Sequence, residues 1–92
     1  MDYKELSFRA ELAIDKLDNF IRKVGSTASL ESIRQQMIFI RDKAHQGKNP
    51  LDELESSRYF TYRILASKEF ASPEELEIKK YIDHVSNILD PD

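Results

Sequence analysis

Apolar residues recur at the spacing of an α-helix in four stretches of this chain, and short breaks separate those stretches. The breaks contain helix-stopping or helix-starting residues, near Gly25, at 47–49 and at 71–72. Between the breaks, Leu, Ile, Ala, Lys, Glu and Arg dominate, and all of these tolerate or favour helix. The pattern therefore predicts an all-α fold. We expect a compact up-and-down bundle of four main helices, within a single domain spanning residues 1–92.

Three of the predicted helices have well-marked ends. The first runs from about Tyr3 to Val24 and stops at Gly25, and the second covers 28–46. The last runs from Pro73 to Leu89. Its start carries a capping box, in which the side chains of Ser72 and Glu75 are expected to bond each other's backbone N–H groups.

The third stretch is less simple. Asn49-Pro50 is typical of a helix start, because Asn caps well and Pro suits the first position, so we predict a helix from Pro50 to about 68–70. At about 100° per residue, such a helix would have two apolar faces. One would carry Leu51, Leu54, Thr61, Tyr62 and Leu65, and the other Phe60 and Ile64. Either the helix is packed centrally between others, or its second face is a binding surface.

Composition excludes several kinds of function. The chain has no cysteine, which rules out disulfides, thiol catalysis and thiolate metal sites. A net charge of −3 argues against nucleic-acid binding, which depends on clustered Lys and Arg. No apolar run is long enough to span a membrane, and the first residues do not resemble a signal peptide. We therefore expect a cytoplasmic protein that binds neither nucleic acid nor membrane.

Catalytic and metal-binding patterns are also missing from the sequence. His45 and His84 stand apart, with no second histidine at helical spacing, so we predict no metal, no cofactor and no enzymatic activity. Arg41 and His45 resemble the Arg–His pair of the HEPN-type ribonucleases, but their spacing is too short for that family. Arg34 and Arg41 flank the apolar stripe of the second helix, where we expect them to pair with acids of a neighbouring helix.

Residues 33–89 resemble a family of small all-helical immunity proteins. That family neutralises NAD(P)-glycohydrolase toxins delivered by type VI secretion systems. The similar segments are 36–41 (QMIFIR), 65–70 (LASKEF) and 73–76 (PEEL), in the family's order. The connection before the third segment differs in length from the family's, and residues 1–25 are similar only in forming an amphipathic helix.

The resemblance implies an immunity protein that binds a cognate toxin domain in the cytoplasm and covers its NAD-binding cleft. The alternative is a small helical adaptor or regulatory domain with no toxin partner. Surplus aromatic residues outside the apolar stripes, and the Tyr and Arg residues near them, are the candidates for partner binding, because interface hot spots are enriched in these types. The predicted partner-binding residues are Phe39, Arg58, Tyr59, Phe60, Tyr62, Arg63, Lys68, Glu69 and Phe70.

Overall fold

The computed structural model describes residues 1–55 and 59–91 of the chain. These residues form four α-helices: α1 (Tyr3–Val24), α2 (Ala28–His45), α3 (Tyr62–Glu69) and α4 (Pro73–Leu89). The predicted all-α class is confirmed, and so are the bounds of α1 and α4. The second helix ends at His45, one residue earlier than expected. None of the helices in the described parts of the chain is long and apolar enough to cross a membrane.

Local capping explains where three helices begin. The side chain of Asp2 accepts a hydrogen bond from the N–H of Glu5, and Thr27 does the same for Leu30. At the start of α4 the predicted capping box is present. The Ser72 hydroxyl accepts from the Glu75 N–H at 3.2 Å, and the Glu75 carboxylate accepts from the Ser72 N–H at 3.0 Å.

Contacts between the helices show that neighbours run antiparallel. Arg34 of α2 binds Asp18 of α1, and the later residue Arg41 binds the earlier Glu11, at 2.8 Å. The predicted pairing of these two arginines with acids of a neighbouring helix is therefore confirmed. Lys23, near the end of α1, binds Glu74 at the start of α4, and the four helices form an up-and-down bundle.

The core lies between the apolar faces of all four helices. Most of the residues expected from helical periodicity are buried, although Val24 and Leu76, which belonged to the predicted stripes, are exposed. The buried apolar residues described are Leu6, Ala10, Ala13, Ile14, Leu17, Phe20, Leu30, Ile33, Met37, Ile40, Ala44, Tyr62, Ala66, Phe70, Ile78, Ile82, Val85 and Leu89.

The start predicted for the third helix is wrong. Residues 50–53 form turns, and α3 begins only at Tyr62. The N–H of Asp52 bonds the carbonyl of Asn49 at 3.0 Å, and the Asn49 side chain accepts from the N–H of Leu51. Asn followed by Pro is favoured at the first two positions of a type I turn as well as at a helix start, so the same two residues fit both structures. The predicted helix with two apolar faces is therefore wrong: residues 50–55 and 59–61 are not helical.

Candidate partner-binding surface

The connection between α2 and α3 packs against α2. Pro50 is fully buried, and the Glu53 carboxylate lies 4.0 Å from the Lys43 amine of α2 and 3.5 Å from the Lys48 amine. Farther along, Phe60 packs against the core. The connection is thus held to the bundle at both of its described ends.

A groove of about 370 Å³ lies between α2 and this connection. We call it the aromatic groove, because Phe39, Tyr59 and Phe60 form much of its wall. A smaller depression of about 190 Å³ is also lined by Tyr59 and Phe60 and reaches Arg63 of α3. Tyr59 and Phe60 thus line both depressions, and we call this pair the ridge. The residues of the aromatic groove are Ser32, Gln35, Gln36, Phe39, Leu54, Tyr59, Phe60 and Thr61.

Three aromatic rings connect this surface to the core. The ring of Phe60 lies 5.9 Å from that of Phe39 and 5.9 Å from that of Tyr62, edge to face in both cases. The Lys43 amine stands 5.5 Å from the centre of the Phe39 ring. Tyr59, by contrast, is 72% exposed. The ridge thus has one half-buried ring fixed by its neighbours and one ring presented to solvent.

The side-chain amide of Gln36 joins α2 to the start of α3. Its oxygen accepts hydrogen bonds from the N–H groups of Thr61, at 2.8 Å, and Tyr62, at 2.9 Å. Its nitrogen donates to the Thr61 hydroxyl at 2.9 Å and to that of Ser32 at 3.2 Å. Backbone N–H groups are donors only, which fixes the orientation of the amide.

The structure separates the predicted partner-binding residues into three groups. Phe39, Tyr59 and Phe60 come together at the aromatic groove, while Arg63, Lys68 and Glu69 are exposed on α3. Tyr62 and Phe70 are buried in the core, so neither side chain is presented at the surface of the folded protein. Arg58 lies outside the described residues. Whether a partner binds any of these residues stays a prediction.

Several groove residues were not among the predicted ones. Helical periodicity predicts Leu51 and Leu54 on one apolar face of a helix, whereas Leu51 is exposed in the connection and Leu54 lines the groove. The sequence patterns single out Gln36 only as part of segment 36–41. Its partners Thr61 and Tyr62 lie 25 and 26 positions away in the chain, and helical periodicity carries no information about such a contact.

Within residues 1–55 and 59–91, no three or more His, Asp or Glu side chains come together in a group that could hold a metal ion, so neither histidine belongs to such a group. His45 is exposed at the end of α2, beside a depression between α1 and α2 that also contains Phe8 and Arg41. The Arg41 guanidinium binds both Glu11 and Asp42, and the bond to Glu11 is the main cause that raises the pKa of Arg41. Arg41 is thus engaged in ion pairs on the α1 side of α2.

Known proteins provide no relative from which to assign this surface. The chain matches no protein-family model, no curated protein and no solved structure.

Proposed function

We propose that this protein binds a partner protein through Tyr59 and the aromatic groove, and that the partner is a secreted NAD(P)-glycohydrolase toxin domain. In this role it acts in the cytoplasm of the producing cell and covers the cleft of the toxin in which NAD(P) binds. The protein itself contributes no catalytic step, cofactor or metal, and it does not act on nucleic acid. The surface around Tyr59 supports the binding role, and the resemblance supplies the class of partner.

The exposure of Tyr59 is the observation that carries the proposal. A tyrosine ring is a large apolar surface, and Tyr59 is 72% exposed, so it forgoes most of the stabilisation that burial would give. Leu51 is also exposed and lines the smaller depression together with Tyr59. Adjacent exposed apolar side chains beside a groove are typical of binding sites, and tyrosine is among the residues most enriched at hot spots.

Phe60 of the ridge is also held in place before any partner arrives. Phe60 is fixed between Phe39 and Tyr62, and Tyr59 precedes it directly in the chain. A surface that is already ordered loses less conformational entropy on binding, which favours high affinity. Such a preformed surface suits an inhibitor that must act on every toxin molecule in the cell.

Polar groups border the apolar part of the surface. Arg63 is exposed and lines the smaller depression, and Gln35 is exposed at the edge of the aromatic groove. Protein interfaces commonly combine an apolar centre with a polar, hydrogen-bonding rim, and arginine is enriched in them. The composition of this surface therefore agrees with protein binding.

Inhibition of a toxin domain tests the proposal directly. The probe is the purified NAD(P)-glycohydrolase domain of a type VI secretion effector encoded beside the gene for this protein. NAD⁺ hydrolysis is followed while the protein is added in increasing amounts, with the protein alone and a non-cognate NAD⁺ hydrolase as controls. We expect hydrolysis by the cognate domain to stop near one equivalent. Undiminished hydrolysis in a large excess of the protein would contradict the proposal.

A further inference from the structure

The amide of Gln36 takes the place of the missing N-terminal cap of α3. Thr61 occupies the N-cap position, but its side chain makes no capping hydrogen bond within its own helix. Gln36 instead bonds the N–H groups of Thr61 and Tyr62, which have no acceptor within α3. The amide oxygen, a partial negative charge, also lies at the positive end of the helix dipole.

The hydrogen bonds of Gln36 also bear on the residues just before α3. Thr61 follows Phe60 and Tyr59 directly, so fixing its N–H and hydroxyl fixes the point at which the ridge joins the helix. Phe39 lies on the same side of α2 as Gln36 and contacts Phe60. The ridge is therefore held by an aromatic contact through Phe60 and by a polar contact through Thr61, both from α2.

We infer that Gln36 is a positioning residue for the partner-binding surface, fixing the segment from Tyr59 to Tyr62 in the conformation that a partner recognises. The expected effect of Gln36 on partner binding rests on the proposed function. Its expected effect on the conformation of residues 59–62 does not. Gln36 acts through the backbone of Thr61 and Tyr62 and does not need to touch the partner.

Two substitutions separate positioning from general stability. Gln36→Met has nearly the same length and removes every hydrogen bond. Gln36→Glu keeps an oxygen that can accept from both N–H groups, and the Thr61 hydroxyl can donate to the carboxylate. Gln35→Met is the matched control for the effect on the segment, because Gln35 is the exposed neighbour and its side chain makes no hydrogen bond to Thr61 or Tyr62.

Amide hydrogen exchange of the free protein is the first measurement. For Gln36→Met we expect the N–H groups of Thr61 and Tyr62 to exchange about tenfold faster or more, beyond any change at the Leu17 N–H in α1. Gln36→Glu and Gln35→Met are expected to retain the wild-type exchange at both positions. An equal acceleration at Leu17, Thr61 and Tyr62 would show that Gln36 affects only global stability, and would overturn the inference.

The affinity for the purified toxin domain is the second measurement. We expect Gln36→Met to weaken binding about tenfold, and Gln36→Glu to bind like the wild type. Wild-type affinity in Gln36→Met despite the faster exchange would also overturn the inference. If the wild-type protein itself fails to bind the toxin domain, the proposed function fails, and the exchange measurement alone decides whether Gln36 fixes the segment.

Discussion

The phenol oxygen of Tyr62 lies 2.8 Å from the hydroxyl oxygen of Ser86, and both side chains are buried. The Ser86 hydroxyl donates its single hydrogen to the carbonyl of Ile82 at 3.2 Å, so Tyr62 is the donor in the pair. This hydrogen bond joins the first residue of α3 to α4. It explains how a tyrosine predicted to bind a partner is instead accommodated in the core.

Removing the Tyr62 hydroxyl is expected to weaken the fold modestly. Tyr62→Phe loses one hydrogen bond but keeps the ring, and Ser86 keeps its bond to Ile82, so the free energy of unfolding is expected to fall by about 0.5–1.5 kcal/mol. Tyr62→Ala also removes the buried ring, and we expect a loss of about 3–5 kcal/mol. Urea denaturation measures both. An unfolding free energy of Tyr62→Phe equal to that of the wild type would show that the hydrogen bond contributes nothing.

Alkaline pH is expected to lower the free energy of unfolding through the ionisation of Tyr62. Burial raises the pKa of Tyr62 above its ordinary value. Above pH about 10 the unfolded chain therefore releases this proton while the folded protein keeps it, so the free energy of unfolding falls as the pH rises. Denaturation between pH 9 and about 11 in the wild type and in Tyr62→Phe isolates this contribution. The wild type is expected to lose more stability over that range, and parallel losses would contradict the assignment to Tyr62.

The capping box at the start of α4 is expected to stabilise the fold less at acidic pH than at neutral pH. Hydrogen bonds from Ser72 lower the pKa of Glu75, so Glu75 stabilises the fold above its unfolded pKa of about 4.3, and this contribution is lost as the pH falls. Glu75→Gln is expected to show a smaller loss of stability below that pH than the wild type. Ser72→Ala is expected to lower the free energy of unfolding by about 1 kcal/mol at neutral pH. Thermal unfolding of both variants across pH 3–7 provides the measurement.

The two aromatic residues of the ridge are expected to differ. Phe60 packs against Phe39 and Tyr62, so Phe60→Ala is expected to lower the unfolding free energy by about 1–3 kcal/mol, less than for a fully buried phenylalanine. Tyr59 is exposed, so Tyr59→Ala is expected to change stability by about 0.5 kcal/mol or less. Urea denaturation compares them, and a large loss of stability in Tyr59→Ala would show that its ring is part of the packed fold.

Helical periodicity and capping residues were sufficient to predict the bounds of α1 and of α4, and the start of α2. Each of those elements depends on residues close to one another in the chain, such as Ser72 with Glu75. The third helix was mispredicted because Asn49-Pro50 fits a type I turn equally well. The first N–H groups at the true start of α3 bond to Gln36, which is distant in the chain, and local patterns cannot reveal such a contact.

Three of the predicted partner-binding residues lie together on one surface. The prediction for Tyr59 and Phe60 rests on their being aromatic residues outside the apolar stripe of the core, and the structure places them at a groove with Phe39. Tyr62 and Phe70 belong to the same segment but point into the core. Residue type and position in the segment are the grounds for predicting that Tyr62 and Phe70 bind a partner, and neither indicates whether a side chain faces the core.

The central claim is that Tyr59 anchors a partner, and its most direct test is calorimetric titration of the purified toxin domain with three forms of the protein. These are the wild type, Tyr59→Ala, and Phe8→Ala as a matched control. Phe8 is also an exposed aromatic residue, 54% exposed, but it lies beside the depression between α1 and α2.

Melting temperatures are measured first, so that only folded variants are compared. We expect Tyr59→Ala to lose about 2 kcal/mol of binding free energy, a change of about 30-fold in Kd, while Phe8→Ala binds like the wild type. Wild-type affinity in folded Tyr59→Ala, or a loss in Phe8→Ala instead, would contradict the claim.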